Sequence, residues 1–313
     1  MSPAEQIALL TLGTFGVLIV LTIIGDQARQ RNRGRPNPVL ETYMTRVQSW
    51  WVMVTLLALA LLSGRTGIIL LTAFASFAAL REFLTLTTKA KADHWSLALA
   101  FFVVLPSQYV FLWFGWNRLF GIYIPVLVFL FLPVISALRG DAKRYLIRVA
   151  ETQWALMICV FCISHLAALT MLKIPGFEGR TVLLIAFLVL VVQFGDLLEY
   201  WFGRRVGRHK VAPGLSPKTW EGVGLGLISA ALLGGALFWI TPFNPLTAMA
   251  VAATIFFVGI CGSLVMTAIK QDRGVKDWSH LIPGQGGVTD QLDSVIFAAP
   301  VFYYILRLFL ATG

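Results

Sequence analysis

KQDRGVKDWSHLIPGQGGVTDQLDS, running from Lys270 to Ser294, is unlike the rest of the chain. Lys270, Asp272, Arg273, Lys276, Asp277, Asp290 and Asp293 share it with four glycines, and strongly apolar segments flank it on both sides. Elsewhere charge is scarce: of 313 residues, 13% are charged and 58% hydrophobic, and mean hydropathy is +0.79. A soluble domain is about half apolar with about a quarter of its residues charged. The composition therefore predicts an all-α, polytopic membrane protein. Charge this dense beside a membrane needs a chemical reason. An acidic and basic loop that closes on Asp-x-x-Asp at the start of an apolar helix suits a metal ion and phosphate oxygens.

A helix needs about 20 apolar residues to cross the hydrocarbon core. By that measure there are about ten spans, near 6–25, 48–63, 66–80, 95–114, 119–137, 152–172, 181–201, 222–240, 246–268 and 291–310. The second and third are separated only by Ser63, Gly64 and Arg65, and read as a tight helical hairpin or a re-entrant pair. No basic run precedes the first apolar segment and no small-residue cleavage site follows it, so it reads as a retained helix. The chain is expected to form one membrane-embedded domain, 1–313.

Ten alternating spans put the loops near 26–47, 81–94, 138–151, 202–221 and 269–290 on one side. These carry 20 of the 25 basic residues, Arg29, Arg31, Arg33, Arg35, Arg46, Lys89, Lys91 and Arg139 among them. Positive charge marks the cytoplasmic side, which predicts an inner-membrane protein with both termini outward and the charged loops cytoplasmic. A net charge of +10 would suggest nucleic acid in a soluble protein. Here its distribution points to topology and anionic lipid headgroups instead. Trp50, Trp51, Trp95, Trp113, Trp116, Trp201, Trp220 and Trp239 fall near expected span ends, where amphipathic rings favour the interface. Cys159-x-x-Cys162 has no second Cys or His pair beside it and reads as buried, apolar cysteine. His165 reads as a satisfied core group.

Two constellations share the charged side. In the first, DLLEYWFGRRVGRHKVAPGLSPKTWEG from Asp196 to Gly222, the carboxylates of Asp196 and Glu199 lie three residues apart on one helix face. Acids at membrane depth mark a functional site by default. Ser216-Pro217-Lys218-Thr219 then opens another helix, a composition suited to cradling phosphate and equally to capping. In the second, Asp290 and Asp293 share one face of the first turn of the last helix. Paired carboxylates in oxygen-only surroundings suit Mg²⁺, and no His/Cys cluster favours zinc.

From Thr267-Ala-Ile-Lys270-Gln271 through Lys276-Asp277 to Ser279-His-Leu-Ile-Pro283-Gly-Gln285-Gly286-Gly287-Val-Thr-Asp290-Gln291-Leu-Asp293, the sequence resembles the signature of the CDP-diacylglycerol synthases, or phosphatidate cytidylyltransferases. Asp196, Gly203, Gly207 and Ser216-Pro217-Lys218-Thr219-x-Glu221-Gly222 resemble that family's second region. The match is close over 151–313, the expected catalytic half. Residues 1–150 are similar only in being hydrophobic and multispanning. The resemblance implies transfer of a cytidylyl group from CTP to phosphatidic acid, releasing pyrophosphate, with Mg²⁺ as cofactor. It implies catalytic roles for Asp290, Asp293, Lys276 and Asp277, and metal coordination by Asp196, Asp290 and Asp293. Lys218, Lys270 and Arg273 would neutralise phosphates, Ser216 and Thr219 would orient them, and Gln285, Gly286 and Gly287 would contact substrate. The implied partners are CTP, a membrane lipid phosphate, the bilayer and, as an option, a second copy of the chain; nucleic acid is not among them.

Four positions depart from the family pattern, with Thr267 for Ser, Gln271 and Gln291 for Arg, and Gln285 for His. A neutral amide cannot replace a bidentate guanidinium on phosphate. The chain therefore reads as a divergent member. A lipid-alcohol kinase, a multispanning transporter and an inactive regulatory paralogue remain as alternatives. Transporter acids should cluster near the midplane in interrupted helices, whereas these gather at one rim.

Overall fold

The computed structural model describes residues 3–31, 38–87, 93–138 and 140–310. Arg33, Arg35, Lys89, Lys91 and Arg139 lie outside the described residues. The architecture is all-helical, and each expected span corresponds to a helix. In chain order these are α1 (Pro3–Arg31), α2 (Pro38–Leu62), α3 (Gly64–Thr85), α4 (His94–Phe114), α5 (Asn117–Ala137), α6 (Tyr145–Met171), α7 (Val182–Val206), α8 (Trp220–Ala236), α9 (Pro245–Asp272) and α10 (Val288–Phe309). Among the described residues nine are long and apolar enough to cross a membrane, and the remaining one, α8, has 17 residues. At 1.5 Å per residue α8 spans only ~26 Å, and the 3₁₀ turn Phe238–Ile240 continues it.

Helices suit this setting because each satisfies its own backbone in a medium without water. Their ends follow local chemistry. The Asn244 side chain accepts from the Thr247 amide at 2.8 Å, with Pro245 at the first position of α9. Gly115, in the left-handed region at φ +76°, ends α4. Wide π turns interrupt α4 at Ala100–Val104, α5 at Tyr123–Val128 and α6 at Leu156–Cys162. Pro106 and Pro125, which lack an amide donor, accompany the first two.

Among the described helices long enough to span, α6 is the most enclosed, with 72% of its most apolar stretch buried, and α1 the least, with 6%. α6 is thus the axis of the bundle and α1 lies at its periphery. α2 and α3 form a full-length antiparallel hairpin, not a re-entrant pair. The N-terminal half of α2 (Arg46, Ser49) and the end of α3 (Glu82) both bond the 279–289 loop, whereas Arg65 at the turn donates to Leu112 O and Trp113 O at the far end. α2 begins ten residues before the expected 48, because Glu41, Thr42, Thr45 and Arg46 interrupt the apolar run in its first turns without breaking the helix. Trp50 and Trp51 therefore lie mid-helix, where the Trp51 indole N–H donates to Thr22 and its ring meets Phe15. His165 is only half-satisfied: Nδ1 lies 2.7 Å from Phe161 O, but buried Nε2 has no hydrogen-bond partner among the rings of Phe120, Phe161, Tyr303 and Tyr304.

The described parts of the charged loops gather at one end of the bundle, tied by specific bonds. Arg148 carries no lipid-facing charge. It is buried and pairs through Nε with Asp93 Oδ2 at 2.8 Å, while the Ser136 hydroxyl donates to Asp93 Oδ1. A second Arg148 nitrogen donates to Asp141 O. The pair joins the starts of α4 and α6 to the end of α5. Removing one partner of a buried pair leaves an uncompensated charge. Asp93→Ala should therefore lower stability by about 3–5 kcal/mol, read as thermal or denaturant unfolding in detergent. Wild-type stability would contradict this lock.

Candidate active site

The site begins where α7 and α8 approach closely. A Cβ at Gly222 would lie 2.8 Å from Glu199 O and 2.9 Å from Gly203 Cα, so only glycine permits this contact. The 207–219 loop returns on itself through a short antiparallel bridge between Lys210 and Thr219. Thr219 then caps α8, its hydroxyl accepting from the Gly222 amide at 3.2 Å, and buried Ser216 accepts from the Lys218 amide. Both hydroxyls fix the loop's shape. Lys218 is thereby directed back onto α7. Its Nζ donates to Glu199 Oε2 at 2.7 Å and stands 3.9 Å from Asp196 Oδ1. Burial favours the neutral amine, but the carboxylates of Asp196, Glu199 and Asp293 outweigh it and hold the ammonium above its ordinary pKa.

Helix α10 brings Asp293 to the same place. The Gln193 side chain donates to Gln291 O at 3.0 Å, binding α7 to the first turn of α10, and Asp293 and Ser294 come to stand beside Asp196. The two constellations separated by some 70 residues of sequence thus meet. Asp196 Oδ1 is buried without a hydrogen-bond partner. An orphaned carboxylate oxygen beside a second carboxylate is a hard-oxygen donor set, which fits Mg²⁺ completed by phosphate and water. Among the described residues no three His, Cys, Asp or Glu side chains are grouped closely enough to hold a metal alone.

Asp290 is taken up by a different set of partners. Its Oδ1 takes Lys270 Nζ at 2.8 Å, and its Oδ2 accepts from the amides of Trp278 and Gly287, both at 2.8 Å. These bonds close the loop onto the end of α9. Gly286, at φ +89°, leaves room for that carboxylate: a Cβ there would lie 2.6 Å from Asp290 Oδ2. The amides of Gln285 and Gly286 donate to Ile282 O, and those of Val288 and Thr289 to Glu82 Oε1 and Oε2, each at 2.9 Å. Every amide from Gln285 to Thr289 is therefore engaged within the protein. Asp277 packs beside Gly286, Lys276 is exposed, and Arg273 turns to Glu151 at 2.6 Å.

Glu82, in the apolar helix α3, is the residue that sequence reasoning missed. It is buried, accepts from the Ser279 hydroxyl at 2.7 Å as well as the two α10 amides, and neighbours Phe83, on which Trp278 stacks. A carboxylate within an apolar span was the available signal. Glu151, the acidic partner of Arg273, is likewise absent from the sequence reading, whereas Glu199, the partner of Lys218, is paired there with Asp196 but given no role of its own. The three glutamines at divergent positions all donate to backbone carbonyls: Gln271 to Leu215 and Gly214, Gln285 to Arg46, and Gln291 to Gln285. They brace loops rather than present charge.

The cytidylyltransferase family model matches residues 44–309. The chain belongs to the cytidylyltransferase family. The match starts within α2 and so includes α3 with Glu82. Over 266 residues the chain is 37% identical to the uncharacterized protein YnbB of Escherichia coli, covering 84% of this chain and 86% of that protein. Phosphatidate cytidylyltransferases of Pseudomonas aeruginosa and Haemophilus influenzae are 36% and 38% identical, over 44% and 39% of this chain. The chain spans about half the length of these two relatives, at 55% and 44% of each.

In this cytidylyltransferase-family site, Glu82 satisfies donors that the start of α10 would otherwise bury unpaired. Glu82→Gln should raise hydrogen exchange at Val288 and Thr289 about tenfold or more. Unchanged exchange would remove Glu82 from the role of holding this loop.

Proposed function

We propose that the protein transfers a cytidylyl group from CTP to a lipid phosphate, with phosphatidic acid as the acceptor, giving CDP-diacylglycerol and pyrophosphate. The observation that carries this reading is the meeting of Asp196, Asp293 and Lys218 at one end of a membrane bundle. Family membership and the similarity to phosphatidate cytidylyltransferases support the chemistry. An oxygen of the lipid phosphate attacks the α-phosphorus of CTP. The bond from that phosphorus to the α–β bridging oxygen breaks, and its electrons leave with pyrophosphate.

Asp196 and Asp293 would hold Mg²⁺, which supplies charge neutralisation on the phosphates and fixes their orientation. Lys218 contributes a protonated ammonium at the same place, directed there by Glu199 and the Thr219 cap. Lys270 and Asp290 hold the end of α9 against the 276–290 loop, so their contribution is to the shape of the wall. Exposed Lys276 is free to meet phosphate from the open side. Positioning and electrostatic stabilisation account for most of the rate in such displacements.

The site sits at the end of the bundle where the described parts of the basic loops gather, Arg46, Arg148, Lys218, Lys270 and Arg273 among them. This supports a cytoplasmic active face, outward termini and an inner-membrane location, where CTP and the lipid would meet at the bilayer surface. Purified protein with CTP, Mg²⁺ and phosphatidic acid should yield a CDP-lipid and pyrophosphate. No CDP-lipid from any of several lipid phosphates would overturn the reading. Asp293→Asn should lower turnover about 100-fold or more with little change in unfolding temperature. Retained turnover would remove Asp293 from the site.

A further inference from the structure

Glu199 touches none of the reacting groups above, yet its carboxylate is the closest acidic partner of Lys218. It lies one turn beyond Asp196 on α7, with its side chain 5% exposed, and takes Lys218 Nζ at 2.7 Å. Its surroundings leave it little freedom. A Cβ at Gly226 would lie 3.0 Å from Glu199 Cβ, and one at Gly203 3.6 Å from Glu199 Oε1. Glycines of α7 and α8 thus frame the carboxylate on two sides.

A buried ion pair is weak evidence for stability, since an apolar pair of the same volume often serves as well. The geometry suggests what else this pair does. Lys218 has a second acceptor within reach, Asp196 Oδ1 at 3.9 Å, and that oxygen is buried with no hydrogen-bond partner. A shift of about 1 Å would bring the ammonium to charge-assisted bonding distance. It would then neutralise the oxygen best placed to meet a cation. Asp196, Glu199 and Asp293 carry three negative charges against the one positive charge of Lys218. The surplus matches a divalent ion. Without the Glu199 charge, the surplus halves and Lys218 turns to Asp196.

We propose that Glu199 is a positioning residue that holds the Lys218 ammonium away from Asp196, leaving the Asp196–Asp293 pair open to a divalent cation. The inference rests on the metal site proposed above. Lys218 is thereby kept as a phosphate donor at the rim of the site instead of an internal counter-ion within it.

The test is Mn²⁺ binding to the full-length protein in detergent, without nucleotide, followed by electron paramagnetic resonance. Wild type should bind Mn²⁺, and Glu199→Gln should bind it about tenfold or more weakly. Adding Lys218→Met to that variant should restore binding, because the competing ammonium is gone. Lys218→Met alone should bind at least as tightly as wild type. Glu199→Gln binding like wild type overturns the proposal and leaves the metal site standing. A weak Glu199→Gln that Lys218→Met does not restore, or weaker binding by Lys218→Met alone, also overturns it. A wild-type protein that binds no Mn²⁺ overturns the proposal and the metal site together.

Discussion

The carboxylate of Glu82 against the first turn of α10 is the constraint on which the charged end of the molecule depends. A helix start presents amides with no partner inside the helix. Here that start is covered by the 279–287 loop and by α3, where an unpaired buried donor costs several kcal/mol. Glu82 answers two of those amides and the Ser279 hydroxyl from a helix more than 190 residues away in sequence. Trp278 stacking on Phe83 adds a second contact to the same turn of α3. With the start of α10 fixed, the direction of Asp293 follows, and so does its meeting with Asp196. Helix starts also attract phosphate. This one already has its anion, which favours the Lys218 side of the site for substrate phosphates.

Charge is balanced locally around that constraint. Lys218 pairs with Glu199, Lys270 with Asp290 and Arg273 with Glu151, at 2.7, 2.8 and 2.6 Å. Each pair unites elements distant in sequence or fixes a loop to a helix end. Among the described residues, only Asp196 has a buried carboxylate oxygen without a hydrogen-bond partner. A charged substrate with its cation would therefore meet a rigid wall of compensated charges and one uncompensated acceptor. Such preorganisation lowers the cost of gathering phosphates at a membrane surface.

The spans were legible because apolar runs of the right length leave few alternatives to a helix in lipid. The sharing of one end by the basic loops followed from alternation and charge. The N-terminal extension of α2 was not legible: Glu41, Thr42, Thr45 and Arg46 break the apolar run over residues 38–47, and hydropathy is silent about helices that project beyond the apolar layer. Nor could spacing separate Asp290 from Asp293, which share a helix face yet differ in role here. One closes a loop with both oxygens, and the other faces α7. Long-range partners such as Glu82 for Val288 depend on packing that no local pattern encodes. The glutamines at positions 271, 285 and 291 read as lost cations, and only the fold shows them donating to backbone carbonyls.

The most direct measurement is a structure of the full-length protein with Mg²⁺ and a non-hydrolysable CTP analogue. The account predicts metal density between Asp196 and Asp293, phosphate density beside Lys218, and Glu82 still bonded to Val288 and Thr289. Phosphate density on the Gly286–Gly287 turn, with Glu82 displaced from α10, would contradict it.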